Sequence, residues 1–411
     1  MTSTEPAHVD EPPLRFPLPS PDPSAPPPDL ARLRAGCPVA PVLLPSGDRA
    51  WLVTTYADNL KVFGDGRFSR AAAAAKGAPR ARNIPLDPNS LTTMDPPEHS
   101  RLRRALSGAF SPRRLDVLRD RIGAVTRALL DEAMAHRPAD LVAGLAQPLP
   151  LIVICELLGV PAEERDRFRE WTEAYLTLSP EHASRSTEAA RQLDTYFAAL
   201  VERRRRQPSD DVFGALVAAH EDGRLSHAEL CTFATTLLVA GYETVAAQIA
   251  GSLHVLLTYG SEHPEAWVDL YTGDRLRDPV VEELLRFVPI AMTGGTLRVA
   301  TEDVELSGTV VRAGEAVLPS TTSANRDPAV YEHPDLFDPY RFEVDRGASH
   351  LAFGHGPHRC MGAHLARIQI GVALGTLLRR CPTLRPAVLL DELEWNTAKP
   401  IRSPKSLPVT W

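Results

Sequence analysis

The sequence predicts a mainly α single domain with a smaller β-rich region. Three observations carry this expectation. Helical apolar periodicity dominates from just beyond residue 54 almost to residue 290. Extended stretches flank that block on both sides. Although 411 residues could make two or three domains, neither an internal repeat nor a Gly-Ser linker divides the chain.

Residues 1–30 form a proline-heavy segment, with Pro26-Pro27-Pro28 among others, expected to wrap the surface or stay loose. The remaining residues, 31–411, are read as one domain. Ala40-Pro-Val-Leu-Leu44 and Ala50-Trp-Leu-Val-Thr54 flank Pro45-Ser-Gly-Asp48, a hairpin pattern. The helical block breaks near 76–95 and 178–186, and a second extended patch runs from Thr296 to Leu318 with Gly308 and Gly314 at its turns.

The best-defined helix is central. Ser226 and Glu229 make a capping box inside the Leu225/Leu230 staple. Apolar periodicity then runs to Tyr259, and Gly260 supplies the stop. That is about 33 residues, or roughly 50 Å at 1.5 Å per residue. In its middle Ala240-Gly-Tyr-Glu-Thr244 breaks the apolar face. Gly241 costs about 1 kcal/mol in a helix interior, so something is expected to approach the backbone there. Asp278-Pro279 opens a further helix that Pro289 stops, and Glu283 and Arg286 share one of its faces. Asp95-Pro-Pro-Glu98-His99 opens another, with Asp95 as cap and His99 and Arg103 on one face.

Hydrophobic residues make up 44% of the chain, enough for a substantial core. No unbroken apolar run reaches the ~18–20 residues of a bilayer span, and the start has no basic-then-apolar signal pattern. A cytoplasmic protein that spans no membrane is expected. Five scattered cysteines are not a disulfide framework. A net charge of −7 argues against a general nucleic-acid binder. Arginines nevertheless cluster at 101–121 and around residue 360, as solvated helix faces or as a docking surface for an acidic protein. No glycine-rich dinucleotide or phosphate loop occurs.

The chemistry concentrates in Phe353-Gly-His-Gly-Pro-His-Arg-Cys360-Met-Gly362. Gly354 and Gly356 allow a tight turn, and Cys360 leads into the helical run 363–378. Helix-start N–H groups and the positive dipole end favour a thiolate there. His355, His358, Cys360 and His364 also have the vocabulary of a zinc site. That reading leaves Phe353 and the glycines unexplained. A plain buried cysteine is the third possibility.

The segment resembles the haem-binding loop of the cytochrome P450 family, Phe-x-x-Gly-x-x-x-Cys-x-Gly, with every fixed position filled. The acid–alcohol pair Glu243-Thr244 in a long helix, the Glu283/Arg286 pair with Arg341, and His99/Arg103 match further family features in order. The resemblance implies a cytochrome P450-like fold around haem b (Fe-protoporphyrin IX), with Cys360 as the metal ligand. It implies that Phe353 and Gly362 pack the macrocycle, while His99, Arg103, Arg298 and His358 meet its propionates. Thr244 and Glu243 would deliver protons. Tyr242, where many bacterial relatives have histidine, would alter the hydrogen bonding of that groove. Leu237, Ala240, Gly241, Val245, Met292, Thr293 and Ile401 would wall the substrate pocket, under a roof from 76–93 and 179–186. The trio Glu283, Arg286 and Arg341 would serve folding and haem retention.

The activity implied is monooxygenation, by hydroxylation or epoxidation, of a bulky apolar secondary metabolite such as a polyketide, macrolide, terpenoid or cyclic peptide. Electrons would come from a separate ferredoxin and ferredoxin reductase. Oxidative aromatic coupling, a peroxygenase and a non-catalytic haem-binding accessory protein are the alternatives.

Overall fold

A computed structural model describes residues 13–81, 86–176, 183–209, 211–291, 296–344, 348–397 and 401–411. Helices form its bulk, and a six-stranded sheet lies to one side. The predicted hairpin is the sheet's first antiparallel pair, Val39–Leu43 with Arg49–Val53, in the register Val39↔Val53 and Pro41↔Trp51. Its turn uses Gly47 at φ 86°, a left-handed angle that suits glycine. The late extended patch supplies Arg298–Ala300 and Ala316–Pro319 to the same sheet, plus the separate hairpin Val304–Leu306/Thr309–Val311. Val317 pairs with both Trp51 and Arg298, which fixes where Arg298 points.

The proline-heavy start enters this layer. Leu14–Arg15 pairs in parallel with Val42 and Leu43, and Phe16 and Leu18 bury themselves with Leu30, Leu33 and Leu52. Two apolar side chains spaced by two place this stretch inside the sheet's core and not over it.

The central helix spans His227–Glu262. Its start is as the sequence indicates: Glu229 N–H donates to Ser226 Oγ at 3.1 Å, and Ser226 N–H to Glu229 Oε2 at 2.8 Å. Its end is not, because the helix runs through Gly260. A Cβ there would stand 2.2 Å from Trp267 Cζ2, so Gly260 makes room for an indole instead of ending the helix. By length and apolarity this helix, alone among the described residues, could cross a bilayer, but 56% of its most apolar window is buried inside the protein. It packs against Pro148–Leu157 and Ala363–Arg380 within one large core cluster.

The helix Asp278–Phe287 carries a buried ion pair. Arg286 grips Glu283 through Nε and Nη2, both at 2.7 Å, and both side chains are 0% exposed. Arg341 Nε joins at 3.2 Å, and Asp338 N–H at 3.0 Å. Arg286 Nη1 donates to the carbonyls of Asn325 and Pro334, each at 2.8 Å. Two acids were expected to cap helices and do not. Asp278 sits one residue inside its helix and pairs with Arg275 at 2.9 Å. Asp95 accepts from Arg70 N–H at 2.8 Å and Ser69 Oγ at 2.5 Å, serving the start of Arg70–Ala74 and not the helix Glu98–Ser107.

Removing one half of a fully desolvated pair strands the other charge, at about 3–5 kcal/mol. Glu283→Ala is therefore expected to lower the urea midpoint steeply or prevent soluble expression, while Glu305→Ala on the exposed hairpin leaves the midpoint unchanged.

Candidate active site

The cysteine loop is built on the ion-pair region. Leu351 N–H donates to Asn325 Oδ1 at 2.7 Å, and Gly354 N–H returns to Leu351 O at 2.9 Å. Gly354 and Gly356 take φ of 67° and 69°. Gly356 also lies against the neighbouring helix Tyr56–Gly64, since a Cβ would fall 2.6 Å from Phe63 O. Cys360 N–H then donates to Phe353 O at 2.9 Å, and the helix Ala363–Arg380 begins with Gly362 as cap. A Cβ on Gly362 would meet nothing nearer than Cys360 Sγ at 3.9 Å, so the space above the first turn is open. The sulfur lies deep in the protein yet faces a cavity. Burial pushes its thiol up; the Gly362 N–H and the Arg103, Arg359 and Arg367 guanidinium groups act against that.

That cavity has a volume of about 450 Å³, within the usual range for ligand pockets. One side is the central helix. Phe233, Thr236, Leu237, Ala240, Gly241, Thr244, Val245 and Gln248 recur at helical spacing and line it. The opposite side carries Phe353, Cys360 and Gly362. A cationic edge completes it, formed by His99, Arg103, Arg298 and His358, with Arg70 beside them. Among the described residues no Asp or Glu lines it.

The cationic edge is arranged for an anion. Both ring nitrogens of buried His99 lack a hydrogen-bond partner, and its ring lies 4.1 Å from that of His358. Burial, then His99, Arg70, Arg298 and Arg103, push the His358 imidazolium down to about 3. Burial lowers Arg298 to about 10, and it lowers His99 and Arg103 as well. Four basic side chains converge with no lining carboxylate. A flat, largely apolar group bearing carboxylates at one edge and taking a thiolate at its centre fits this arrangement, and haem is such a group. The zinc reading does not survive. His364 pairs with Asp116 at 3.1 Å and the His358 ring lies tilted against that of His99, and no set of three metal-competent side chains occurs among the described residues.

The structure brings most of the expected residues together and separates others. Glu243 does not line the cavity; it is half-buried on the adjoining helix face, about 100° from Thr244 at 3.6 residues per turn. Tyr242 points into the core, fully buried, and leaves the cavity's hydrogen bonding alone. Gly241 opens onto the cavity, but Ile154 explains its size: a Cβ would come within 3.0 Å of Ile154 Cδ1. Ile401 bridges to Ala291 and leaves the wall to that residue. Met292 and Thr293 lie outside the described residues. So do residues 82–85 and 179–182 of the roof, while residues 183–186 already belong to the helix Ala183–Arg206. The Thr244 hydroxyl donates to Ala240 O at 2.6 Å, leaving its oxygen as an acceptor toward the cavity.

Sequence reasoning missed Phe233, Thr236 and Gln248, although steps of three and four from Leu237 and Thr244 reach them. It also missed Arg70, which donates from Nε to Thr92 O at 2.8 Å and from Nη1 to Leu297 O. No local pattern announces that residue, because its partners come from distant loops.

Three comparisons bear on this geometry. The family model described as Cytochrome P450 matches residues 275–389. Nocardicin C N-oxygenase of Nocardia uniformis subsp. tsuyamanensis is 46% identical over 386 residues, 93% of this chain and 95% of that protein. Mycinamicin IV hydroxylase/epoxidase of Micromonospora griseorubida is 44% identical over 377 residues, 91% and 92% of the two chains. Among solved structures, the LnmA cytochrome P450 hydroxylase from the leinamycin biosynthetic pathway of Streptomyces atroolivaceus S-140 has a TM-score of 0.85 at 41% identity. It covers 97% of this chain and 100% of its own.

The two loop glycines separate strain from collision. An alanine forced into the left-handed region costs roughly 1–2 kcal/mol, which is all that Gly354→Ala should lose, since nothing lies within 4 Å of its Cβ. Gly356→Ala should in addition push the loop off Phe63. It is expected to bind less than a tenth of the haem that Gly354→Ala binds, read from Soret absorbance per mole of purified protein.

Proposed function

The chain belongs to the cytochrome P450 family, and from that membership we propose a haem-thiolate monooxygenase acting on a bulky, mainly apolar secondary metabolite. The observation that carries the proposal is the single cavity with Cys360 on one side and the Thr244 face of the central helix on the other. Haem b is the form proposed, because the chain has no Cys-x-x-Cys-His attachment pattern. Cys360 would ligate the iron, and His99, Arg103, Arg298 and His358 would hold the propionates. Bound haem supplies O₂ activation, in which two electrons and two protons put one oxygen atom into the substrate and release the other as water.

The protein's own part is placement and protons. Phe233, Leu237, Ala240, Gly241 and Val245 offer an apolar wall, and Leu91 and Phe110 line the same cavity. Thr92 and Thr236 provide hydroxyls for an oxygenated scaffold. Thr244 accepts a hydrogen bond from the cavity as it stands, and it becomes a donor only by turning from Ala240. Glu243, one residue back, would pass protons to that position from outside the cavity. The related N-oxygenase and hydroxylase/epoxidase extend the proposal to oxidation at N–H, C–H or C=C.

A ferredoxin is the proposed electron donor, docking over the cysteine side. Many of the clustered arginines are already engaged: Arg101 with Glu229, Arg119 with Asp116, Arg121 with Glu156, and Arg367 with Glu282. Arg104, Arg113 and Arg114 remain exposed, and the docking surface narrows to them and Arg359. A cytoplasmic location belongs to the same proposal, in keeping with five free cysteines.

The first test is the carbon monoxide spectrum of the dithionite-reduced protein. A thiolate-type Soret band is expected, and Cys360→His should abolish it; a neutral-ligand band in the unaltered protein would overturn the proposal. With a substrate found by spin-state titration, Thr244→Ala should cut product per NAD(P)H at least threefold and release the balance as peroxide. Arg104→Glu with Arg113→Glu should slow ferredoxin-supported reduction about tenfold at low salt, where paired surface charges act most strongly.

A further inference from the structure

One partly buried charged cluster beside the cysteine loop belongs neither to the cavity edge nor to the Glu283 pair. Glu282, the neighbour of Glu283 in sequence, points the other way. Arg367, seven residues after Cys360 on the helix Ala363–Arg380, grips it bidentately, Nε to Oε1 at 2.5 Å and Nη2 to Oε2 at 2.7 Å. His350 Nε2 lies 3.1 Å from Glu282 Oε2, and its side chain is 2% exposed. Ala352 N–H donates to His350 Nδ1 at 3.2 Å. A backbone N–H can only donate, so Nδ1 is the bare nitrogen and the ring proton sits on Nε2, directed at Glu282.

The third wall of this cluster is Phe353. The Arg367 guanidinium carbon lies 4.6 Å from its ring centroid, and the His350 ring lies 5.8 Å from it. Phe353 lines the cavity, and its carbonyl takes the Cys360 N–H at 2.9 Å. Arg367 is also one of three guanidinium groups whose charge reaches the sulfur, with Arg103 and Arg359. Arg103 donates to the Arg359 carbonyl at 2.6 Å, and the only carboxylate bound to one of the three among the described residues is Glu282.

We infer that Glu282 and His350 are positioning residues for the thiolate: they hold the Arg367 guanidinium over Phe353 and neutralise it, setting the charge that Cys360 feels. The inference rests on Cys360 being the iron ligand. A bidentate fork fixes the guanidinium plane as well as its place, and a fixed plane is what a face-on cation–π contact needs. The neutral His350 tautomer keeps the carboxylate from rotating off.

A tie that merely joined two helices would lose stability whichever half was removed, with no sign attached. A charge that tunes the thiolate predicts opposite signs. Reduction adds an electron to the iron–thiolate unit, so an uncompensated positive charge nearby raises its midpoint potential and an uncompensated negative charge lowers it. Redox titration of haem-loaded Glu282→Gln should therefore show a shift upward, and Arg367→Gln a shift downward. The double variant should return toward the unaltered value. Arg367→Lys, which keeps the charge and loses the fork, should stay nearer the unaltered protein than Arg367→Gln does. Shifts of the same sign in both single variants, or none, would overturn the inference; if Glu282→Gln does not fold, an unshifted or raised potential in Arg367→Gln does so alone. The carbon monoxide spectrum of the unaltered protein separates the two failures. Without a thiolate-type band the haem-thiolate reading falls and this inference with it; with the band and unmoved potentials, only the inference falls.

Discussion

A guanidinium with no access to water must find every partner inside the protein, and Arg286 is the charge around which this molecule is organised. Its Nε and Nη2 are held by Glu283, and Nη1 is shared between the carbonyls of Asn325 and Pro334. Fixing Asn325 has a consequence further along. Its side-chain oxygen takes the Leu351 N–H, and the Leu351 carbonyl takes the Gly354 N–H. Three hydrogen bonds thus lead from a buried salt bridge to the base of the cysteine loop. Burial makes that route stiff, because no water can substitute for a broken contact. Such a pair contributes less to net stability than to a single arrangement of the segments it joins.

The cavity that this arrangement frames has two unlike sides. The central helix presents small apolar side chains and hydroxyls, the surface of a pocket that sorts by shape. The far edge gathers His99, Arg103, Arg298 and His358 with no lining carboxylate among the described residues. Basic side chains gathered away from bulk water destabilise the fold: burial lowers all four, and neighbouring positive groups lower His99, Arg103 and His358 further. A ligand bearing carboxylates would relieve that cost on binding, which would couple its retention to folding stability. The same economy separates Glu282 from Glu283. Adjacent on one helix, they face opposite ways, one closing the ion-pair core and the other reaching the cysteine helix.

Much of this was legible in the chain. Hairpin, central helix, capping box, cysteine loop and the Glu283–Arg286 pair are local, since turn chemistry, capping and periodicity act over a few residues; Arg341, 58 residues from Glu283, came from the resemblance. Leu237, Ala240, Gly241 and Val245, which line the cavity, follow steps of three and four along the central helix. The resemblance assembled the cationic edge, which composition alone would have left as scattered surface residues. What the chain did not announce came from contacts across long sequence separations. Gly260 looks like a helix stop until Trp267 fills its place, and Gly241 looks like a ligand notch until Ile154 explains its size. Asp95 looks like the cap of the helix after it, yet serves Ser69 and Arg70.

The elements, the cysteine loop and the family are legible in the sequence, because each is written in spacing and in the conformational needs of glycine, proline and capping residues. Only the tertiary structure decided which side of each residue faces the cavity. It turned Glu243 and Tyr242 away, bound the Thr244 proton to Ala240, and set Arg70 between two loops. Those outcomes depend on which distant surface arrives first at van der Waals or hydrogen-bond distance, and no local pattern encodes that.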